Sequence, residues 1–250
     1  YRYLLKLARM HTRLLATSTC KHNHAWIYYF SVFLRSVGYG LPICHFNQSQ
    51  LENIQKPMTP VILSKLGVCQ NTSRKLCFLS SYYGGLDLRD LYVEQGIGQL
   101  QFLLRHLRSP GMVGTLLYNV LGWFQYNAGV SYCIMANPAP LLPHLDGRWL
   151  LSLRDFLRSI HGSLEFTNSQ IRPPQRSRDL YLMDIALSSS FSKPELRGIN
   201  LCRLFFNATT ISDLTTATES QNAPGIEHGT LAPRQSRPLG PRVKQTSPDP

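Results

Sequence analysis

Apolar side chains return every third or fourth residue in one segment of this chain after another, and that period commits it to helices. Over residues 2–15, Tyr3, Leu4, Leu7, Met10, Leu14 and Leu15 share one face. After Gly84-Gly85 a longer stripe carries Leu88, Leu91, Tyr92, Leu100, Leu103, Leu104 and Leu107 inward. Residues 145–160 repeat the pattern with Trp149, Leu150, Leu153, Phe156, Leu157 and Ile160. A helix with one apolar stripe must bury it against another element, so the expected fold is mainly α, helix packed on helix.

Glycine and proline mark where these helices stop. The aromatic run Ala25–Leu34 reads as a buried helix, too short to span a bilayer and ended by Gly38, Gly40 and Pro42. Residues 46–66 read as one helix or a pair, interrupted by Pro57 and Pro60 and stopped by Gly67. Residues 74–83 are expected to form a short strand or extended segment turning at Gly84-Gly85, and Asp87 to cap the helix beyond. Gly96 and Gly98 predict a bend in that helix or a close approach by a neighbour. Short helices are expected over 180–187 and 194–206. The last thirty or so residues are rich in proline and poor in apolar clusters, which predicts a disordered tail.

Charge is distributed as unevenly as hydrophobicity. Residues 1–85 hold ten Lys/Arg against a single acid, Glu52, a net +9 of the chain's +12. Such a lopsided basic end points to a polyanion partner for that end. On the first helix Arg2, Lys6, Arg9 and Arg13 form a stripe with no acid to pair with, where an ordinary solvent face would interleave both signs. Arg74 and Lys75 likewise have no acidic neighbour, and Tyr82 and Tyr83 follow as surfaces on which a base or sugar stacks. The opposite extreme is 109–145, which has no Asp, Glu, Lys or Arg. Asn119, Gln125, Asn127 and a scatter of glycines and prolines argue against a membrane span, so a buried helix followed by a proline-rich connector is expected.

Several chemistries fail on spacing. The six cysteines form no Cys-x-x-Cys pair, and reduced, buried thiols are expected. Cys20-Lys21-His22-Asn23-His24 matches no common zinc spacing and reads as a polar loop between helices. Gly96-Ile97-Gly98 lacks the third glycine of a dinucleotide fingerprint, and neither a phosphate-binding Gly-Lys-Ser/Thr loop nor a Gly-x-Ser-x-Gly elbow occurs. Two-metal phosphoryl transfer needs converging carboxylates. The eight aspartates include no adjacent pair and no Tyr-x-Asp-Asp, and Asp179 and Asp184 are too far apart on a helix to meet at one point. The absence of a signal peptide predicts an intracellular, nuclear or cytoplasmic protein, and the start at Tyr1 reads as that of a fragment.

Order and spacing supply one further clue. Leu63-Ser64-Lys65-Leu66-Gly67, some twenty residues ahead of Gly84-Gly85-Leu86-Asp87-Leu88, resembles paired landmarks downstream of the palm in reverse transcriptases of non-LTR (LINE-type) retrotransposons. Ala25-Trp26-Ile27-Tyr28-Tyr29 is similar to that family's aromatic helix after the palm. Leu104-Arg105-His106-Leu107-Arg108 and Leu153-Arg154-Asp155-Phe156-Leu157 resemble continuations in some members. The resemblance implies a thumb-like helical bundle over 1–108, a second helical layer or connector over 109–215, and the tail over 216–250. It implies a non-catalytic grip on RNA or an RNA/DNA primer–template duplex, next to an upstream polymerase palm that would hold the magnesium. This chain itself is expected to carry no cofactor and no metal. Phosphate contacts are then expected at Arg2, Lys6, Arg9, Arg13, Arg74 and Lys75, with Gly84 and Gly85 shaping the loop. The alternatives are a helical protein-interaction or membrane-associated module built on 109–145, or an inert relic of a retroelement.

Overall fold

The computed structural model describes residues 1–109, 111–167 and 171–214. As expected, the fold is mainly helical, and among the described residues the sole β feature is an isolated antiparallel bridge between Tyr181 and Thr210. The tail expected over 216–250 lies outside the described residues. By compactness, the described residues of 1–128 and 132–171 form one unit, and 129–131 with 172–214 form another.

The first unit opens with α1 (Arg2–Thr17). The aromatic run follows as one continuous helical stretch, α2 (His22–Tyr28), a π-helical turn (Tyr29–Phe33) and α3 (Leu34–Gly38). Every fourth residue of it, Ala25, Tyr29, Phe33 and Val37, is buried. The Pro57 break splits the next segment into α4 (Gln48–Gln55) and α5 (Met58–Lys65). Gly67 ends α5 as expected: at φ +72° it lets the Val68 amide reach back to the Leu63 carbonyl at 2.9 Å. Ala8 and Leu15 of α1, Leu51 and Ile54 of α4, and Met58, Ile62 and Leu63 of α5 join the aromatic helix in a single core.

The segment expected to be a strand, 74–83, is helical: α6 (Arg74–Phe78) is followed by a 3₁₀ turn at Ser81–Tyr83. The chain does reverse at Gly84-Gly85. Residues 86–88 then return alongside α6, with the amides of Leu86, Asp87 and Leu88 donating to the carbonyls of Leu76, Leu79 and Cys77. This return takes up the hydrogen bonds that a strand pair would have used. The long helix therefore starts three residues later than expected, as α7 (Leu91–Arg108). Asp90, not Asp87, is its cap, accepting from the Tyr92 amide at 2.7 Å.

Gln55 ties this junction together inside the core. Its side-chain amide donates to the Arg89 carbonyl at 2.6 Å and to the Tyr29 hydroxyl, while its oxygen accepts from the Leu91 amide. α7 continues unbroken through Gly96 and Gly98. A Cβ at Gly96 would sit 2.1 Å from the Phe156 ring of α9 (Arg148–Ser159), so close helix contact, not a bend, explains that glycine. α8 (Met112–Ala128) packs back on α7 with Leu121, Phe124, Gln125 and Ala128 inward.

α8 is not the buried helix expected. Met112, Leu116, Val120 and Trp123 are exposed. No helix among the described residues is long and apolar enough to cross a membrane. Beyond it, the connector 133–145 is held by a buried guanidinium. Arg154 donates to the carbonyls of Ile134, Asn137 and Pro140, and its burial pulls its pKa below the usual arginine value.

The second unit contains α10 (Leu182–Ser188) and α11 (Lys193–Phe205), the latter opened by a Ser192/Glu195 capping box with Pro194 in its first turn. Asp213 accepts from the Thr209 and Thr210 amides and faces Arg172 at 3.7 Å, which closes the unit's last turn.

Candidate nucleic-acid interface

Helical phase explains what α1 buries and what it shows. Ala8, His11 and Leu15 are buried and lie three or four residues apart, so the core face centres on them with Leu4 alongside. Tyr3, Met10 and Leu14, expected to point inward, are instead 74%, 46% and 54% exposed. They form a second stripe displaced around the helix from the core face. Next to that stripe, away from the core, Arg2, Lys6, Arg9 and Arg13 are all exposed. Among the described residues none of them is ion-paired; the ion pairs there are Arg89–Glu94, Arg158–Asp155 and Arg172–Asp213. α1 thus presents unpaired cations flanked by apolar groups, a surface that offers both charge and contact area to a polyanion.

The second group of expected contacts lies on α6 and its loop. Arg74 and Lys75 are exposed on the first turn of α6, anchored by buried Cys77 two residues on. Tyr82 and Tyr83 stand 86% and 71% exposed, with their rings edge-to-face at 4.9 Å. Gly84 adopts φ +80° with open space around it, whereas a Cβ at Gly85 would lie 2.0 Å from the Leu79 carbonyl oxygen. The two glycines shape the loop in different ways, one by handedness and one by close approach. Asp87 stabilises the same loop. The Ser81 hydroxyl and amide face its carboxylate and hold its pKa below the usual range. Among the described residues no hydrogen bond or ion pair joins this loop to the α1 stripe.

Other charged residues are committed elsewhere. Lys65 donates to the Ser18 carbonyl at 2.5 Å and pins the end of α1 to α5. On α9, Arg154 turns inward to the connector, while Arg148 and Arg158 border an outer cleft. Helical phase was the available signal: Arg154 lies beside buried Leu150 and Leu157, and Arg148 and Arg158 lie on the Asp155 side.

The resemblance assigns magnesium to an upstream palm and not to the carboxylates of this chain. Asp179 receives the Ser212 hydroxyl, Asp184 receives the Ser131 amide, and no group of three His, Cys, Asp or Glu among the described residues is placed to hold a metal ion. Cys20 lies 3.0 Å from the Ser18 hydroxyl, and His22 and His24 fall in the first turn of α2. All six cysteines are free, but only Cys77 is buried, so burial is not general among them. No family model, no curated protein and no solved structure matches the chain.

Proposed function

We propose that this chain is a non-catalytic nucleic-acid-binding element, the thumb and connector portion of a reverse transcriptase of the non-LTR retrotransposon type. Its partner on this reading is RNA or an RNA/DNA primer–template duplex. A palm encoded upstream would carry the catalytic aspartates and the magnesium. The observation that carries the proposal is the α1 stripe: Arg2, Lys6, Arg9 and Arg13 exposed together, with none in an ion pair among the described residues. Arg74 and Lys75, beside two exposed tyrosines, extend the same chemistry to α6. The test is binding to a labelled duplex across a salt series. Affinity is expected to fall with a log–log slope of about −0.9 per phosphate neutralised. Changing all six cations to Ala is expected to abolish most of it. Salt-insensitive binding, or binding that survives those six changes, would overturn the proposal.

A second reading, a helical protein-interaction module, is favoured by one observation. The charge-free helix α8 exposes Met112, Leu116, Val120 and Trp123 along one side. Self-association measured by sedimentation separates it from the first.

A further inference from the structure

We propose that the cleft bordered by α4, α7 and α9 is a further phosphate-binding site that continues the nucleic-acid track of α1. This rests on the reading above. The cleft has a volume of about 520 Å³ and is lined by His45, Phe46, Tyr92, Arg148 and Arg158, with Asp155 its one acid. Arg148 is exposed and without an ion pair among the described residues. Arg158 donates to Asp155 at 2.6 Å, which uses one of the five N–H donors of a guanidinium and leaves others for an anion.

The start of α4 adds to this field. Asn47 and Gln50 satisfy one another in a capping box, while the amides of Gln48 and Ser49 sit in the first turn, where no intrahelical acceptor exists. Two arginines, a histidine and a helix start lining one cleft with a single paired carboxylate describe a site for a phosphate oxyanion.

Two further contacts tie the cleft to the α1 surface and fix its shape. The Tyr1 ring lies 6.2 Å from the Phe46 ring, so the Arg2 end of the basic stripe reaches the cleft wall. Behind that wall Gln95 accepts from the Phe46 amide at 3.2 Å and donates to its carbonyl at 2.8 Å, and it also donates to the Ser152 hydroxyl of α9 at 3.3 Å. The loop bearing His45 is therefore held against α9 before any ligand arrives, so little ordering cost falls on binding.

The ligand group is a phosphate, from either a nucleic-acid backbone or the free ion, and the full chain distinguishes them. A short labelled duplex is titrated against wild type, R148Q/R158Q and R9Q/R13Q over about 50–200 mM salt, and inorganic phosphate is titrated calorimetrically. The expected result is that R148Q/R158Q binds the duplex more weakly and loses about 1.8 from the salt slope, with its thermal melt unchanged. If R158Q unfolds, R148Q alone is expected to lose about 0.9. Unchanged binding by R148Q/R158Q, while R9Q/R13Q binds more weakly, overturns the cleft and leaves the α1 reading standing. No duplex binding by wild type, but phosphate binding that R148Q/R158Q loses, overturns the α1 reading and assigns the cleft to free phosphate. Binding of neither probe overturns both.

Discussion

At His11 the imidazole is 6% exposed, its Nδ1 lies 2.7 Å from the Tyr28 hydroxyl, and the Phe33 ring stands edge-on to it. Burial holds its pKa below the ordinary histidine value, and no carboxylate is close enough to offset that. Folding therefore favours the neutral ring. A depressed pKa contributes stability that is complete above the unfolded value near 6.5, and that contribution is lost as pH falls through the lower folded value. Thermal melts of wild type and H11Q from neutral to mildly acid pH are expected to converge as pH falls, because the variant has no imidazole to charge. Parallel curves would mean that His11 does not titrate within the fold. The same residue shows how sequence misleads at this scale. His11 was not among the residues expected to face inward, yet it belongs to the core face, and Tyr3 and Met10 took the exposed positions.

Among the elements, the return loop between α6 and α7 is where expectation and structure part most. Helices with a strong 3.6-residue stripe, such as α1 and α9, were legible as helices because periodicity states that one side needs covering, although in α1 it misplaced part of that side. The 74–83 segment was not, since a short apolar run bounded by turn signals fits one helical turn as well as a strand. What decided it was tertiary: Leu86, Asp87 and Leu88 return to bond with α6 carbonyls, and no sequence rule announces that pairing. Even so, the glycine pair pointed to the right place. G84A adds a side chain in open space and pays only for the left-handed backbone, about 1 kcal/mol. G85A sets a Cβ 2.0 Å from the Leu79 carbonyl oxygen, which cannot swing aside without breaking the return, and is expected to cost about 2–3 kcal/mol. Urea denaturation of the two variants checks the order, and equal losses would mean that the loop yields freely at Gly85.

For the whole molecule, charge and hydrophobicity separate along the chain, and that separation makes the two functional readings distinguishable by salt. The ten cations of 1–85 against one acid make any polyanion contact there weaken as ions screen it. The exposed stripe of α8 has no charge to screen, so an association through Met112, Leu116, Val120 and Trp123 draws on apolar burial and is expected to hold or tighten in the same salt series. The sequence located both regions, because composition alone separates a charge-free stretch from a basic one. It missed that α8 would leave a face uncovered: the buried side carries Leu121, Phe124, Gln125 and Ala128, with Gln125 and Ala128 bonded to the following connector, and the opposite stripe stays exposed. Sedimentation velocity on the full chain is therefore the deciding measurement for the second reading. If α8 associates, wild type is expected to sediment as a dimer that persists at high salt, and L116D/W123D as a monomer with an unchanged helical circular-dichroism spectrum. Both positions are already exposed, 51% and 64%, so the two aspartates should not disturb the packing of α8 on α7. A wild type that stays monomeric across concentration and salt removes α8 self-association and leaves the basic end as the surface to pursue.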